Sequence, residues 1–209
     1  MKKWELNDLP KLPKLKLAVV GHVEWVAFME VNTFPESGKI GHAKQYLEEP
    51  AGGAAVIAVQ LAKLTKQPID LFTSLGKDQY GKKAISRLKG LGINMKVAWS
   101  DEGTRRAISI VDSRGDRAIT VIGKRLQPSG RDSLPWNQLK HYDGVFVTAT
   151  DSEGLYKCRQ SRFLGATPRI KIETIEKANI QLDALIGSGL DPQEKVPKNS
   201  LSKIPRLII

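Results

Sequence analysis

Cysteine and histidine are scarce in this sequence. A single cysteine, Cys158, and three histidines occur among 209 residues. One thiol cannot form an internal disulfide, and it has no companion cysteines for a zinc site, so we expect an ordinary half-buried thiol in a reducing compartment. His22 and Glu24 are near enough in sequence to suggest a metal pair, but His42 and His141 lack convergent spacing, which favours ordinary polar roles and no metal site.

Long hydrophobic runs are also missing. No apolar stretch approaches the roughly 18 residues that cross a bilayer. The start, Met1 to Glu5, lacks the continuous apolar segment of a secretory signal. We therefore expect a cytoplasmic protein with no membrane partner. With 41% hydrophobic residues, the chain is long enough for one sizeable core and, by length, one domain.

Acidic residues are outnumbered, and the formal net charge is +11. A basic surface invites a nucleic-acid hypothesis, because cationic side chains bind phosphate backbones through counterion release. The lysines and arginines are, however, spread along the chain and mixed with acids, and no stretch interleaves basic and aromatic residues as a stacking platform would. The pattern does not favour a nucleic-acid partner.

Strands and helices alternate along the chain. Residues 1–16 are basic and broken by Pro10 and Pro13, so we predict an arm before the first ordered element. We predict strands at 17–21, 25–31, 41–47, 71–73, 95–99, 107–112, 118–122, 144–148, 183–186 and 206–209, and helices at 54–64, 78–91, 155–163 and 175–180. This order predicts an α/β domain with helices on both faces of a sheet. Since the run at 206–209 has no covering helix after it, we expect one face of the sheet to be open.

Several local motifs occur in a characteristic order. A strand ending in Gly21 comes first, and then a Gly-Gly pair, Gly52 and Gly53, before an apolar helix. Glycine allows close backbone approach, and a helix N-terminus presents free N–H groups to a ligand's oxygens. Further along are a G-x-D-x-x-G string at 76–81, a G-D-R turn at 115–117, a D-G-V-F-V-T strand at 143–148 and a D-P-Q-E string at 191–194.

In this order, the motifs resemble those of the ribokinase or PfkB family of carbohydrate and nucleoside kinases. The resemblance covers residues 17–209 and implies a doubly wound three-layer α/β sandwich that is incomplete, or truncated, at its C-terminal end. It also implies a projecting β-lid made from hairpins near 22–50 and 104–123. Such lids often pair between subunits, so a homodimer through the lid is the expected assembly.

The resemblance also implies site residues. For substrate binding it implies Glu24, Gly52, Gly53 and Val56; Val26 holds the position where the family usually has an Asp, and Val56 the position of its Asn. Asp191 and Glu194 match the family's N-x-x-E, which helps organise the magnesium and phosphate region. Asp78 is expected to cap a helix rather than bind substrate.

ATP and Mg²⁺ are the family's cofactors, and a sugar or nucleoside is the implied substrate. Phosphoryl transfer in this family depends on a G-x-G-D segment whose Asp is the base. The sequence contains no such segment and no P-loop, so we assign no catalytic residue. Two interpretations stay open: an ATP-dependent sugar kinase, or a truncated and inactive relative that binds small molecules or oligomerises.

Overall fold

The computed structural model describes residues 13–195 and 200–209 and contains two β-sheets and four α-helices in that part of the chain. The strands are β1 (Leu17–Val20), β2 (Glu24–Val31), β3 (Ala43–Ala51), β4 (Ile69–Gly76), β5 (Ile93–Ser100), β6 (Arg106–Val111), β7 (Arg117–Ile122), β8 (Gly144–Val147), β9 (Phe163–Ala166), β10 (Ala184–Leu185) and β11 (Leu207–Ile208). The helices are α1 (Gly53–Thr65), α2 (Gln79–Gly90), α3 (Ser152–Cys158) and α4 (Ile172–Ala178). A short 3-10 helix, Trp136–His141, precedes β8.

The large sheet has seven parallel strands in the order β11-β10-β9-β8-β1-β4-β5. The chain builds outward from β1 to β4 and β5 on one side, and then from β8 to β11 on the other. The strand order therefore reverses between β1 and β8. In open α/β sheets, a crevice forms at such a reversal, outside the carboxyl ends of the strands.

Each face of the large sheet carries its own hydrophobic cluster. One cluster packs α1 and α2 over β1, β4 and β5, with Val19 and Leu71 fully buried. The other packs α3, α4 and the 3-10 helix over β8 and β9, with Val20 and Leu164 at its centre. Because successive strand residues point to opposite faces, adjacent Val19 and Val20 join different clusters. This confirms the predicted doubly wound α/β class.

Helix starts follow local capping chemistry. Asp78 caps α2 by accepting a hydrogen bond from the Gly81 amide at 2.8 Å, as the sequence predicts. Asp151 caps α3 in the same way through Gly154. By contrast, α1 begins after Gly52 with no side-chain cap, and this difference matters for the site below.

The small sheet, as we call the second sheet, has four strands in the order β3-β2-β6-β7. The pairs β2–β3 and β6–β7 are antiparallel, as the two predicted hairpins require, while β2 and β6 join them in parallel. Trp25 anchors this sheet in the cluster under α1 and α2. Arg87 on α2 also forms a bidentate ion pair with Glu49 on β3. These contacts hold the small sheet in place beside the carboxyl end of β1.

Two local differences separate the structure from the sequence-based expectation. The helix predicted at 155–163 ends at Cys158, and β9 begins at Phe163. The strand was missed because FLGA has only four residues, directly after a helical stretch, and periodicity cannot separate short apolar runs of either kind. As a result β10 pairs with β9 rather than directly with β8.

A groove of about 410 Å³ lies on the face of the sheet beside α1, opposite α3 and α4. Its walls are apolar, with Leu61 on the helix side and Phe146 and Phe163 on the strand side.

Most of the predicted basic arm, residues 1–12, lies outside the described residues. The segment just before β1 is held by hydrogen bonds: the Leu15 amide donates to the Gln67 side chain, and the Lys16 amide donates to the Asp143 carboxylate. Cys158 is fully buried rather than half-buried, and burial raises the pKa of its thiol. No helix in the described ranges combines the length and apolar character needed to span a bilayer.

Candidate functional site

A cleft of about 520 Å³ opens between the small sheet and the carboxyl end of the large sheet. Residues that follow β1, β8 and β9 form its floor, which places it at the reversal of strand order. Its walls are His22, Glu24, Gly52, Gly53, Ile57, Arg105, Arg117, Ile119, Arg125, Thr148, Thr167, Arg169 and Glu194. The position of the cleft follows from topology, and its chemistry follows from these side chains.

The Gly52–Gly53 pair brings backbone to the cleft wall at the start of α1. Gly52 has φ +88° and ψ 153°, a conformation that is essentially restricted to glycine. A Cβ at Gly52 would lie 2.8 Å from the His22 carbonyl oxygen. At Gly53, a Cβ would lie 3.4 Å from Thr148 across the cleft floor. The two glycines therefore give a ligand access to an N-terminus that no side chain caps.

His22 joins β1 to the small sheet above this N-terminus. Its carbonyl accepts a hydrogen bond from the Ala54 amide at 3.3 Å. Its imidazole Nδ1 is buried and has no hydrogen-bond partner within the described residues. Burial, with smaller contributions from Arg125 and Arg105, lowers the pKa of His22 to about 4. The ring is thus neutral at pH 7 and has an unsatisfied nitrogen at the edge of the cleft.

Glu24 and Arg105 form an ion pair across the small sheet. The Arg105 Nε and Glu24 Oε2 atoms are 3.1 Å apart, and the side chains are 21% and 16% exposed. The same two atoms do not meet hydrogen-bond geometry with any described residue, so the attraction is electrostatic and poorly aligned. Both groups retain hydrogen-bonding capacity for a ligand.

Arg169 lines the cleft and contacts Glu194 of a second short 3-10 helix, Pro192–Glu194, and Asp191 just before it. Its guanidinium donates to Glu194 at 2.8 Å and also bonds to Asp191. Hydrogen bonding to Glu194 is the main cause of the raised pKa of Arg169. Glu194 also accepts from the Ser188 amide, so its carboxylate is held on two sides.

Arg117 and Arg125 add further positive charge. Arg117 opens β7, and Arg125 lies just beyond the end of that strand. Partial desolvation and the nearby Arg105 lower the pKa of Arg125, while Glu24 opposes the shift. A guanidinium with a lowered pKa is one whose charge is incompletely compensated by its surroundings.

The structure brings most of the predicted site residues together. Glu24, Gly52, Gly53 and Glu194 all line the cleft. Asp191 lies behind the wall, bonded to Arg169. Val56 is 50% exposed on α1, and the neighbouring Ile57 faces the cleft instead.

Sequence reasoning did not single out the arginines of the cleft or the two threonines that follow β8 and β9. The signal was present, since Arg105, Arg117 and Arg125 flank the strands of the second predicted hairpin. In the sequence alone, these arginines do not stand out from the basic residues dispersed along the chain. Their convergence depends on the parallel pairing of β2 with β6, which connects two hairpins far apart in sequence.

Comparison with known families decides the assignment. The model of the pfkB family carbohydrate kinases matches residues 14–161, more than half of the chain. The chain belongs to the PfkB family of carbohydrate kinases. No curated protein sequence matches it. The glycine-led helix, the Asp78 cap and β8 all fall within the matched range of this PfkB chain.

Solved structures show the same fold at low sequence identity. The ribokinase of Thermotoga maritima has a TM-score of 0.63 at 22% identity, over 83% of the PfkB chain and 59% of the ribokinase. The Arabidopsis thaliana ribokinase, solved with ribose and ATP, has a TM-score of 0.62 at 19% identity, over 83% of this chain and 60% of the ribokinase. The Giardia lamblia ribokinase has a TM-score of 0.65 at 14% identity, over 83% of this chain and 58% of the ribokinase. The chain thus spans about three fifths of the length of these ribokinases.

The carboxylates expected near magnesium do not form a ready cation site. Asp191 and Glu194 both face the Arg169 guanidinium, which already supplies their positive partner. Across residues 13–195 and 200–209, no group of three His, Cys, Asp or Glu side chains converges as metal ligands would. The residues present therefore do not fit a protein-held Mg²⁺ in this arrangement.

Proposed function

We propose that this chain provides the acceptor-binding part of an ATP-dependent carbohydrate kinase that transfers a phosphoryl group to a hydroxyl of a sugar or nucleoside. The observation that carries the proposal is the uncapped, glycine-led start of α1 at the cleft floor. Backbone N–H groups there suit the oxygens of a polyhydroxylated ligand. The small sheet then serves as the lid over the acceptor.

The remaining walls fit the same ligand class. The His22 imidazole is neutral and can exchange hydrogen bonds with hydroxyl groups. Glu24 offers carboxylate oxygens to hydroxyl protons, while Thr148 and Thr167 add hydroxyl groups that both donate and accept. Such a site positions a hydroxyl, and positioning is the protein's main contribution to phosphoryl transfer. The proposed location is the cytoplasm, where ATP is available.

Calorimetric titration of the purified chain with a panel of pentoses, hexoses and nucleosides tests this function. We expect saturable binding of at least one of them. Gly53→Ala should weaken that binding, because its methyl group would protrude toward Thr148 in the cleft floor. The control is Gly90→Ala, since a Cβ at Gly90 meets no atom within 4 Å and lies far from the cleft. Equal binding by both variants would contradict the proposal.

A second candidate is a relative that binds the acceptor without transferring phosphate. It is favoured by the lack of a G-x-G-D string among the 209 residues. A phosphate-transfer assay with ATP and the ligand found above separates the two. Turnover by the chain supports the kinase, and binding without turnover supports the second candidate.

We also propose that the small sheet pairs with its copy in a homodimer. Its outward strands expose Tyr46, Leu47, Ile119 and Val121, each about half accessible, and such an apolar edge favours association. The double substitution Leu47→Lys and Val121→Lys, at two exposed positions outside the cleft wall, should shift gel-filtration elution from dimer to monomer. Elution of the unmodified chain as a monomer at all concentrations would refute the dimer.

A further inference from the structure

The apolar groove beside α1 has no covering element within residues 13–195 and 200–209. Residues of β1, β8 and β9 line it, and its volume is about 410 Å³. Two of its side chains, Phe163 and Ile186, are 46% and 37% exposed. Large apolar side chains that share one exposed surface mark a place where another segment binds.

Topology explains why no described helix covers this face. Connections between parallel strands are right-handed, so the helices of successive crossovers in one direction lie on one face of the sheet. The direction reverses between β1 and β8, and α3 and α4 therefore pack on the face opposite α1 and α2. Beside α1, the strands β8, β9 and β10 can be covered only by a segment that is not one of these crossovers.

The chain before β1 has a three-residue repeat. Leucine occurs at every third position: Leu6, Leu9, Leu12 and Leu15. The same spacing separates five charged residues: Lys2, Glu5, Asp8, Lys11 and Lys14. Pro10 and Pro13 fix their own φ and disfavour helix in the residue before each. Because polyproline II has three residues per turn, the sequence predicts a segment with one leucine edge and one charged edge.

This segment joins the described structure at the mouth of the groove. The Gln67 side chain, just beyond the end of α1, accepts from the Leu15 amide at 2.8 Å and donates to the Pro13 carbonyl at 3.1 Å. Leu17, two residues further on, lines the groove itself. From there to Ile186 the groove crosses three strand spacings, about 14 Å. Residues 6–12 would rise about 19 Å in polyproline II, which is enough to follow it.

We propose that residues 6–12 bind in the groove of their own chain, with the leucine edge against Phe146 and Phe163 and the charged edge toward solvent. Aromatic-lined grooves bind polyproline II segments, because a preformed conformation loses little entropy on binding. The hydrogen bonds at Pro13 and Leu15 hold the segment beside the groove and give it a high effective concentration there. The inference does not depend on the proposed function.

A nitroxide spin label at position 5, followed by amide NMR of the full chain, tests the inference. Glu5→Cys places the label on the charged edge, where it leaves the leucines free to bind. Cys158 is fully buried and does not compete for the labelling reagent. We expect the label to reduce the peak intensities of the Phe163 and Ile186 amides and to leave those of α3, on the opposite face, unchanged.

Variants of the segment separate binding from simple proximity to the groove. Leu9→Lys combined with Leu12→Lys removes the leucine edge and should abolish the intensity loss at Ile186. The control is Asp8→Lys, which changes the formal net charge by the same amount on the charged edge and should retain the intensity loss.

A variant of the groove makes the same test from the other side. Phe163→Lys should also abolish the intensity loss at Ile186, because it places a charge in the apolar floor. Tyr156→Lys, at a 64% exposed position on α3, is its control and should retain the loss. Circular dichroism checks the fold of each variant, and the leucine variants carry the test if Phe163→Lys does not fold.

Three results would overturn the inference. The first is unchanged peak intensity at both Phe163 and Ile186, and the second is an intensity loss that the combined leucine variant leaves intact. The third is an intensity loss in an equal mixture of spin-labelled chains and isotope-labelled chains without the spin label. The segment would then occupy the groove of a second copy.

Discussion

Substitution of Gly52 by alanine should destabilise the protein and disturb the cleft at once. Gly52 combines φ +88° with ψ 153°, which is outside the range of L-residues. Its missing side chain also makes room for His22, whose carbonyl oxygen would be 2.8 Å from an added Cβ and whose ring would be 3.1 Å away. The backbone conformation and the close contact with His22 therefore both destabilise the alanine variant.

The size of the effect follows from these two terms. A residue forced into a glycine-only conformation costs about 1–3 kcal/mol, and relieving a contact with backbone adds to this because the His22 carbonyl is held by Ala54. We expect a total of about 2–4 kcal/mol in the free energy of unfolding. For a chain of this size that lowers the melting temperature by about 5–15 °C.

Thermal and urea denaturation measure this change, with Gly53→Ala as the matched neighbour. Gly53 has no positive φ, and its added Cβ would make an ordinary contact of 3.4 Å with Thr148. Since alanine also favours helix over glycine, Gly53→Ala should remain within about 1 kcal/mol of the unmodified chain. If Gly52→Ala is equally stable, the close approach of β1, His22 and α1 is not as described here.

Three further predictions concern the walls of the cleft and the corner beside it. Glu24→Gln leaves the half-buried Arg105 without its partner and should cost about 1–3 kcal/mol in urea unfolding; an unchanged midpoint would contradict the ion pair. The pKa of His22 is about 4 in the folded chain, against an ordinary value of 6.5. Between these two pH values the unfolded chain binds more protons than the folded chain. The free energy of unfolding should therefore fall as pH drops from 6.5 to 4, by about 3 kcal/mol in total. His22→Gln, which keeps Arg105, Arg125 and Glu24 around the site, should reduce that pH dependence, and an unaltered slope would refute the burial of a neutral ring. Asp78→Ala removes acceptors for the Gly81 and Thr104 amides and should cost about 2 kcal/mol by thermal melting, whereas the exposed Asp116→Ala should cost little.

Much of the fold could be predicted because short-range patterns determine it. LAVV at β1 is a buried apolar run that suits a central parallel strand, and it occupies the middle of the large sheet. Asp78 and Gly81 show their capping relation in the sequence spacing alone. The Gly52–Gly53 pair could be placed at a helix start for the same reason.

What the sequence did not reveal depends on long-range pairing. The strand β9 is too short to be distinguished from the end of α3, and only its pairing with β8 stabilises it as a strand. The arginines of the cleft come together because β2 pairs with β6, about 80 residues further along the chain. No local pattern encodes that register, so the grouping of these arginines in the cleft wall became visible only with the structure.

A titration followed by amide NMR tests the central claim that the cleft beneath the small sheet binds a hydroxyl-bearing ligand. The ligand is the tightest-binding sugar or nucleoside from the calorimetric panel. We expect chemical shift changes to concentrate on the amides of His22, Gly52, Gly53 and Thr148, which surround the start of α1. Saturable shifts confined to the apolar groove of Leu61, Phe146 and Phe163, with the glycine amides unmoved, would contradict it.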